Sequence, residues 1–161
     1  MKKLEIGVIG GGASGMAAAI TAAREGADVT ILEGGERVGK KILSTGNGKC
    51  NLGNRNLSAA DYNGADRIWL ERCLEQFDAR ATETFFRELG LWIKDKNGYL
   101  YPSAEQASVV LDVLRLGLAG AGIHVVTDCK VREVKLQDFK SSGRNDKRFQ
   151  VVSEKRNYFF D

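Results

Sequence analysis

The chain has 161 residues, 43% of them hydrophobic, and a formal net charge of +3. That is enough sequence for one domain with a core, and so small a charge gives no reason to expect a nucleic-acid partner. No run approaches the roughly 20 apolar residues of a membrane-spanning helix, and we expect no signal peptide, because the N-terminus enters a strand directly.

Residues 4–10 read as a first strand, with Ile6, Val8 and Ile9 forming a short apolar run. Gly10-Gly-Gly12-Ala-Ser-Gly15 follows, a Gly-x-Gly-x-x-Gly turn that opens a small-residue helix over about 13–25. Gly26 is its expected C-cap. A second apolar run, 28–33, closes on Glu33. Isolated glycines would mean little, but strand, turn, helix, strand and acid in one βαβ-sized span are the context that dinucleotide binding demands. Gly10 permits the tight turn, Gly12 removes a Cβ so that backbone can approach a pyrophosphate, and Gly15 lets the helix pack close to the sheet. The helix starting near Ala13 points unpaired N–H groups and its positive end at the phosphates, so no basic side chain is required. Glu33 would accept hydrogen bonds from ribose hydroxyls and repel a 2′-phosphate.

Residues 34–64 lack strong periodicity and are rich in Gly and Asn, which predicts a long loop with a helical turn near 39–43. Loops of that length inside a compact domain are usually functional. Two amphipathic helices follow, over about 65–77 and 79–89, the second with Asp78 as N-cap. Leu91-Trp-Ile93 and Tyr99-Leu-Tyr101 flank Lys96-Asn97-Gly98, a hairpin signal, and Pro102 ends it. A helix over 105–121 leads into a strand at 123–127. His124, the single histidine, lies in that apolar run and reads as a strand residue. Val131–Leu136, Phe149–Ser153 and Tyr158–Phe160 read as a three-stranded antiparallel meander, with Lys140–Lys147 as a loop tip. The many basic residues after Lys130 are interleaved with Asp and Glu, as on a solvated face.

The three cysteines, Cys50, Cys73 and Cys129, are odd in number and unclustered, which suits reduced thiols in a cytoplasm. With one histidine and no Cys-x-x-Cys, we expect no metal site. The chain stops at Tyr158-Phe-Phe160-Asp161, inside what reads as a strand, and we expect an incomplete protein.

The segment Gly39-Lys-Lys-Ile-Leu-Ser-Thr-Gly46-Asn-Gly48-Lys-Cys50-Asn51 narrows the reading further. With Tyr62-Asn-Gly-Ala65, Phe85–Gly90 and Gly98-Tyr-Leu-Tyr-Pro102-Ser103, it resembles the aminoacetone oxidase-like NAD(P)/FAD-dependent oxidoreductases, which include a reductase of bile-acid intermediates. The resemblance implies the N-terminal part of an α/β, Rossmann-like FAD-binding domain spanning residues 1–161, with a parallel sheet, flanking helices and the meander. It implies that Gly10, Gly12, Ala13, Ser14 and Gly15 contact the pyrophosphate and Glu33 the adenosine ribose. Lys40 or Lys41 would lie near the adenine-side phosphate or ribose. Thr45, Gly46, Gly48, Cys50 and Asn51 would line the ribityl chain and isoalloxazine edge, and Val131 would pair with adenine through its backbone.

The group's later Ala-Thr-Gly-Gly turn, substrate domain and C-terminal segment are not among these residues. In related disulfide reductases the loop carries two cysteines five apart. Here Cys50 is alone and Arg55 holds the second position, which disfavours a dithiol mechanism. No catalytic acid or base stands out, although Lys49, Tyr99 and Tyr101 are candidate contributors beside a small-molecule substrate and an NAD(P)H donor. Two readings stay open: a non-catalytic dinucleotide-binding module, and an NAD-dependent dehydrogenase. The excursion over Gly39–Asn51 argues against the second, because an NAD-binding domain normally proceeds directly to its third strand.

Overall fold

A computed structural model describes residues 2–64, 66–137 and 148–161. The expected loop tip Lys140–Lys147, and Ala65 of the Tyr62 motif, lie outside the described residues. The chain divides into two compact units, one of residues 1–40 and 114–161, the other of residues 41–113.

The first unit is built on the glycine-turn span. Strand β1 (Glu5–Ile9) pairs in parallel with β2 (Asp28–Leu32), and the two are joined by helix α1 (Ala13–Arg24). Val29, Ile31 and Leu32 are fully buried, as are Met16, Ala19 and Ile20 of α1, which packs on both strands. The apolar stripe of α1 at positions 16, 19 and 20 has the spacing of one helical face. Strand β6 (His124–Val126) adds in parallel to the far side of β2, giving the order β1-β2-β6. His124 pairs with Thr30 and is exposed, within the strand expected of it.

The meander forms as read from the sequence, with β7 (Val131–Leu136), β8 (Phe149–Ser153) and β9 (Asn157–Phe160) antiparallel in that order. Its inner side contributes Val151 and Phe160 to a core with Leu32 and Cys129. The Phe160 ring lies over the β1 backbone: a Cβ on Gly7 would come within 2.4 Å of it. At the same end, Asp161 N–H donates to Glu5 O and Glu5 N–H donates to Asp161 Oδ2, both at 2.9 Å.

The second unit centres on an antiparallel sheet in the order β3-β5-β4, made of β3 (Gly53–Asn54), β4 (Ile93–Lys96) and β5 (Tyr99–Pro102). The turn between β4 and β5 has Asn97 at φ +55° and Gly98 at φ +87°, the left-handed pair that a two-residue hairpin turn requires. One face of the hairpin carries the buried Leu100 and Pro102. Helices α2 (Arg67–Gln76) and α3 (Ala79–Glu88) are started by Asp66 and Asp78, whose carboxylates accept from Trp69 N–H at 3.1 Å and Ala81 N–H at 2.7 Å. Each such cap is worth about 1 kcal/mol. Helix α4 (Ala107–Gly120) buries Val110, Leu111, Leu114 and Leu118, and the division between the units falls within it.

The segment 34–64 is more ordered than a loop. Lys40–Gly48 winds as 3-10 turns interrupted at Thr45, Gly46 and Asn47, so the expected single turn at 39–43 is the first part of a longer feature. Ser58 and Asp61 form a capping box around a short turn at Ala59–Asp61. Among the described residues, no helix is long and apolar enough to cross a membrane.

Candidate functional site

The turn after β1 is shaped by steric exclusion. Gly10 has φ +94°, a conformation in which any Cβ is strained. A Cβ on Gly15 would sit 1.9 Å from Gly10 O, so helix and turn approach as closely as backbone allows. Gly12 is the opposite case. It is the N-cap of α1 at φ −75°, and a Cβ there would meet nothing within 4 Å. The space beside Gly12 is therefore open, and no side chain caps the helix start. The leading N–H groups of a helix have no intrahelical acceptor, and with the helix dipole they make an anion site.

Glu33, at the end of β2, closes onto this turn. Gly11 N–H donates to Glu33 Oε2 at 2.6 Å, and Gly35 N–H donates to Oε1 at 2.7 Å. Each carboxylate oxygen keeps a lone pair, so the acid still has acceptor capacity for a vicinal diol. Gly39 N–H then donates to Gly11 O at 2.7 Å, drawing the start of the next segment to the same turn. A Cβ on Gly11 would strike Val38 at 2.3 Å. Gly11 and Gly35 thus belong to this arrangement although the motif reading passed over them. The run of three glycines was the available signal for Gly11.

Val131 is brought to the same place by backbone pairing. Cys129 N–H donates to Glu33 O at 2.8 Å and Asp128 N–H to Gly35 O at 2.9 Å, so residues 128–131 run alongside 33–35. Gly10, Gly12, Ala13, Ser14, Gly15, Glu33 and Val131 consequently gather around one end of the parallel sheet. Lys40, in the same unit, is exposed.

The remaining expected contacts, Lys41, Thr45, Gly46, Gly48, Cys50 and Asn51, lie together in the second unit. Cys50 N–H donates to Thr45 O at 3.2 Å and Lys49 N–H to Gly46 O at 3.1 Å, folding residues 45–50 into a tight loop. Asn47, Cys50, Gly46 and Gly48 all have positive φ. The Thr45 hydroxyl donates to Ile42 O at 2.6 Å, and Asn51 Oδ1 accepts from Gly53 N–H at 3.1 Å. These two side chains spend part of their hydrogen-bonding capacity on shaping the loop. Lys41 is exposed and Cys50 is buried.

Cys50, Cys73 and Cys129 are all free thiols. Arg55, at the position where a second cysteine would stand, is an ion-pair hub instead. Its guanidinium reaches Glu83 Oε2 at 2.6 Å and Asp95 Oδ2 at 2.5 Å, and Glu83 also pairs with Arg87 at 2.9 Å. The Arg87 and Arg55 guanidinium hydrogen bonds lower the Glu83 pKa. The Gly98 N–H, then Arg55, lowers that of Asp95. Among the described residues, no group of three or more His, Cys, Asp or Glu side chains is placed to hold a metal ion.

A family model described as the HI0933-like protein Rossmann domain matches residues 4–156. The chain is 47% identical over 133 residues to a 3-dehydro-bile acid delta(4,6)-reductase of Clostridium scindens, an alignment of 81% of this chain and 32% of that protein. It is 26% identical over 129 residues to a ribosomal RNA dihydrouridine synthase of Haemophilus influenzae, covering 80% of this chain and 32% of the relative. The chain thus spans about a third of the length of these curated relatives. A 3-ketosteroid-delta4-(5alpha)-dehydrogenase of Rhodococcus jostii, solved with 4-androstene-3,17-dione, shares the fold over 99% of this chain and 44% of its own, at a TM-score of 0.63 and 15% identity.

Proposed function

The chain belongs to the HI0933-like protein Rossmann-domain family, and from that premise we propose that it is the FAD-binding N-terminal part of a flavin-dependent oxidoreductase, of the aminoacetone oxidase-like kind. The observation that carries the reading is the pairing of an open, uncapped helix start at Gly12 with an acid tied to the same turn at Glu33. A pyrophosphate needs the first and an adenosine ribose the second. FAD rather than NAD is favoured by the ordered loop over 40–51, which an NAD-binding domain has no use for.

In this reading Gly10, Gly12, Ala13, Ser14 and Gly15 cradle the pyrophosphate, the N–H groups of the helix start donating and Gly10, whose own N–H goes to Leu32 O, shaping the turn, and Glu33 orients the adenosine ribose. Val131 offers backbone groups to adenine, Lys40 or Lys41 neutralises adenine-side charge, and Thr45, Gly46, Gly48, Cys50 and Asn51 flank the flavin end. Bound flavin would supply the hydride-transfer chemistry, while the polypeptide supplies binding, orientation and electrostatics. NAD(P)H is the proposed electron donor and a small organic molecule the proposed substrate, in a cytoplasmic setting suited to three free thiols.

The bile-acid reductase supports a small-molecule substrate. The dihydrouridine synthase is named for ribosomal RNA, but a net charge of +3 and interleaved acids and bases after Lys130 favour the small molecule. With Arg55 where related disulfide reductases carry their second cysteine, a dithiol relay within this loop is disfavoured. The test is FAD fluorescence titrated with the purified protein. Saturable quenching near one FAD per chain is expected, and a flat titration would go against the reading.

A further inference from the structure

The hairpin of the second unit has two unlike faces. Ile93, Asp95, Leu100 and Pro102 alternate onto one, where Leu100 and Pro102 are buried. The other face carries Lys94 opposite Tyr101 and Lys96 opposite Tyr99, two directly paired cation–aromatic rows. Lys49, from the end of the 40–50 loop, and Glu105 complete a cavity of about 220 Å³ lined by Lys49, Lys96, Asn97, Tyr99, Tyr101 and Glu105.

The charges of this cavity do not cancel. Glu105 takes Lys49 Nζ at 3.1 Å on one oxygen and Lys94 Nζ at 2.5 Å on the other. Those two ammonium groups hold its carboxyl down to about 2, so it is ionised across the working pH range. Glu105 sits at φ +52°, a left-handed backbone that a residue with a Cβ adopts only when its surroundings impose it. One carboxylate thus faces three lysines, and Lys96 makes no ion pair among the described residues. Asp95 offers no relief, since it is on the opposite face and engaged by Arg55 and by Gly98 N–H at 2.8 Å.

Aromatic surface supplies the second half of the site. Alternate residues of a strand are about 7 Å apart, a spacing that admits one flat ring at ~3.5 Å from each neighbour. Tyr99 and Tyr101 have that relationship, and Tyr99 is 46% exposed. The volume suits one substituted ring, since a whole drug-sized molecule takes about 300 Å³ or more.

We propose that this pocket receives the anionic, ring-bearing end of the substrate, with the ring against Tyr99 and Tyr101 and its oxyanion on Lys96 and Lys49. That the occupant is a substrate rests on the oxidoreductase reading; the pocket and its preference for a ring with an oxyanion do not.

The test is a titration of the ¹⁵N-labelled protein, with and without FAD, using benzoate, phenyl phosphate and the neutral isostere benzamide. Benzoate and phenyl phosphate are expected to shift the amide signals of residues 96–101, and the tighter of the two identifies carboxylate or phosphate as the natural group. Benzamide is expected to bind about fivefold more weakly. Lys96→Glu should weaken benzoate about tenfold with the rest of the spectrum unchanged, and Lys96→Arg should restore binding to within about twofold. Equal binding of benzamide, an indifferent Lys96→Glu variant, or displacement of benzoate by FAD would each overturn the assignment. Protein that binds benzoate at these signals yet takes up no FAD would support the pocket and contradict the cofactor reading.

Discussion

Gly11 N–H and Glu33 Oε2 are 2.6 Å apart, so the acid at the end of β2 is bonded to the glycine turn that β1 feeds. Two sequence signals that could be treated separately are one physical unit. Glu33→Gln would set an amide donor against one of the two N–H groups that the carboxylate now accepts from. For this partly buried group a loss of about 1–3 kcal/mol is expected in urea unfolding. FAD affinity should fall as well, and an unchanged midpoint would show that the bond contributes nothing in solution.

The glycines of the turn separate folding from binding. Gly15→Ala drives a Cβ to 1.9 Å from the Gly10 carbonyl, a backbone atom that has nowhere to go. It should cost about 3 kcal/mol or more. Gly12→Ala meets open space, so its cost should stay near 1 kcal/mol, that of a poorer N-cap. Its FAD affinity should nevertheless drop by about tenfold or more, because the methyl occupies the approach of the pyrophosphate. Urea melts and FAD titrations on both variants check the contrast.

Glu105 gives a pH signature. Its folded pKa, about 2, lies below that of an unfolded glutamate near 4.5. The ion pairs with Lys94 and Lys49 therefore favour the folded state fully above about pH 4.5, and their contribution is lost as pH falls toward 2. The stability difference between the protein and its Glu105→Gln variant should be constant from pH 8 to 5 and shrink below that. A difference that holds constant down to pH 2.5 would mean the carboxylate is not paired in solution.

Arg55 joins Glu83 of α3 to Asp95 of β4. Arg55 and Asp95 are exposed, so Arg55→Ala should destabilise only slightly, and less at 1 M salt, where exposed pairs are screened. Guanidinium-free chemical or thermal melts at two salt concentrations measure it. Loss unaffected by salt would point to packing of the Arg55 stem instead.

What the sequence disclosed depended on how local each cause was. The β1–α1–β2 span, the Asn97-Gly98 hairpin and the meander strands are set by patterns over a few residues, and each appears within a residue or two of its expected bounds, apart from β4, which starts and ends later than expected. Strand β3 was not legible, because two residues carry no period and its pairing of Gly53 with Leu100 and Asn54 with Tyr99 is decided by a distant partner. The Ser58–Asp61 box is by contrast a local pattern, Ser-x-x-Asp, carried in the sequence itself. The hub at Arg55 depends on partners far along the chain, Glu83 and Asp95. Among the proposed cofactor residues, the glycines and Glu33 announced themselves through backbone necessity. Gly35 acts through backbone groups that any residue possesses, so composition could not single it out, whereas Gly11, where a Cβ would strike Val38, was signalled by the run of three glycines.

The central claim is that the turn at Gly10–Gly15 with Glu33 holds FAD. It is tested most directly by thermal unfolding of the same protein preparation against rising FAD and, separately, rising NAD. FAD should raise Tm progressively with concentration, as any ligand of the folded state does, and NAD should leave it unchanged. A rise with NAD and none with FAD would contradict the account.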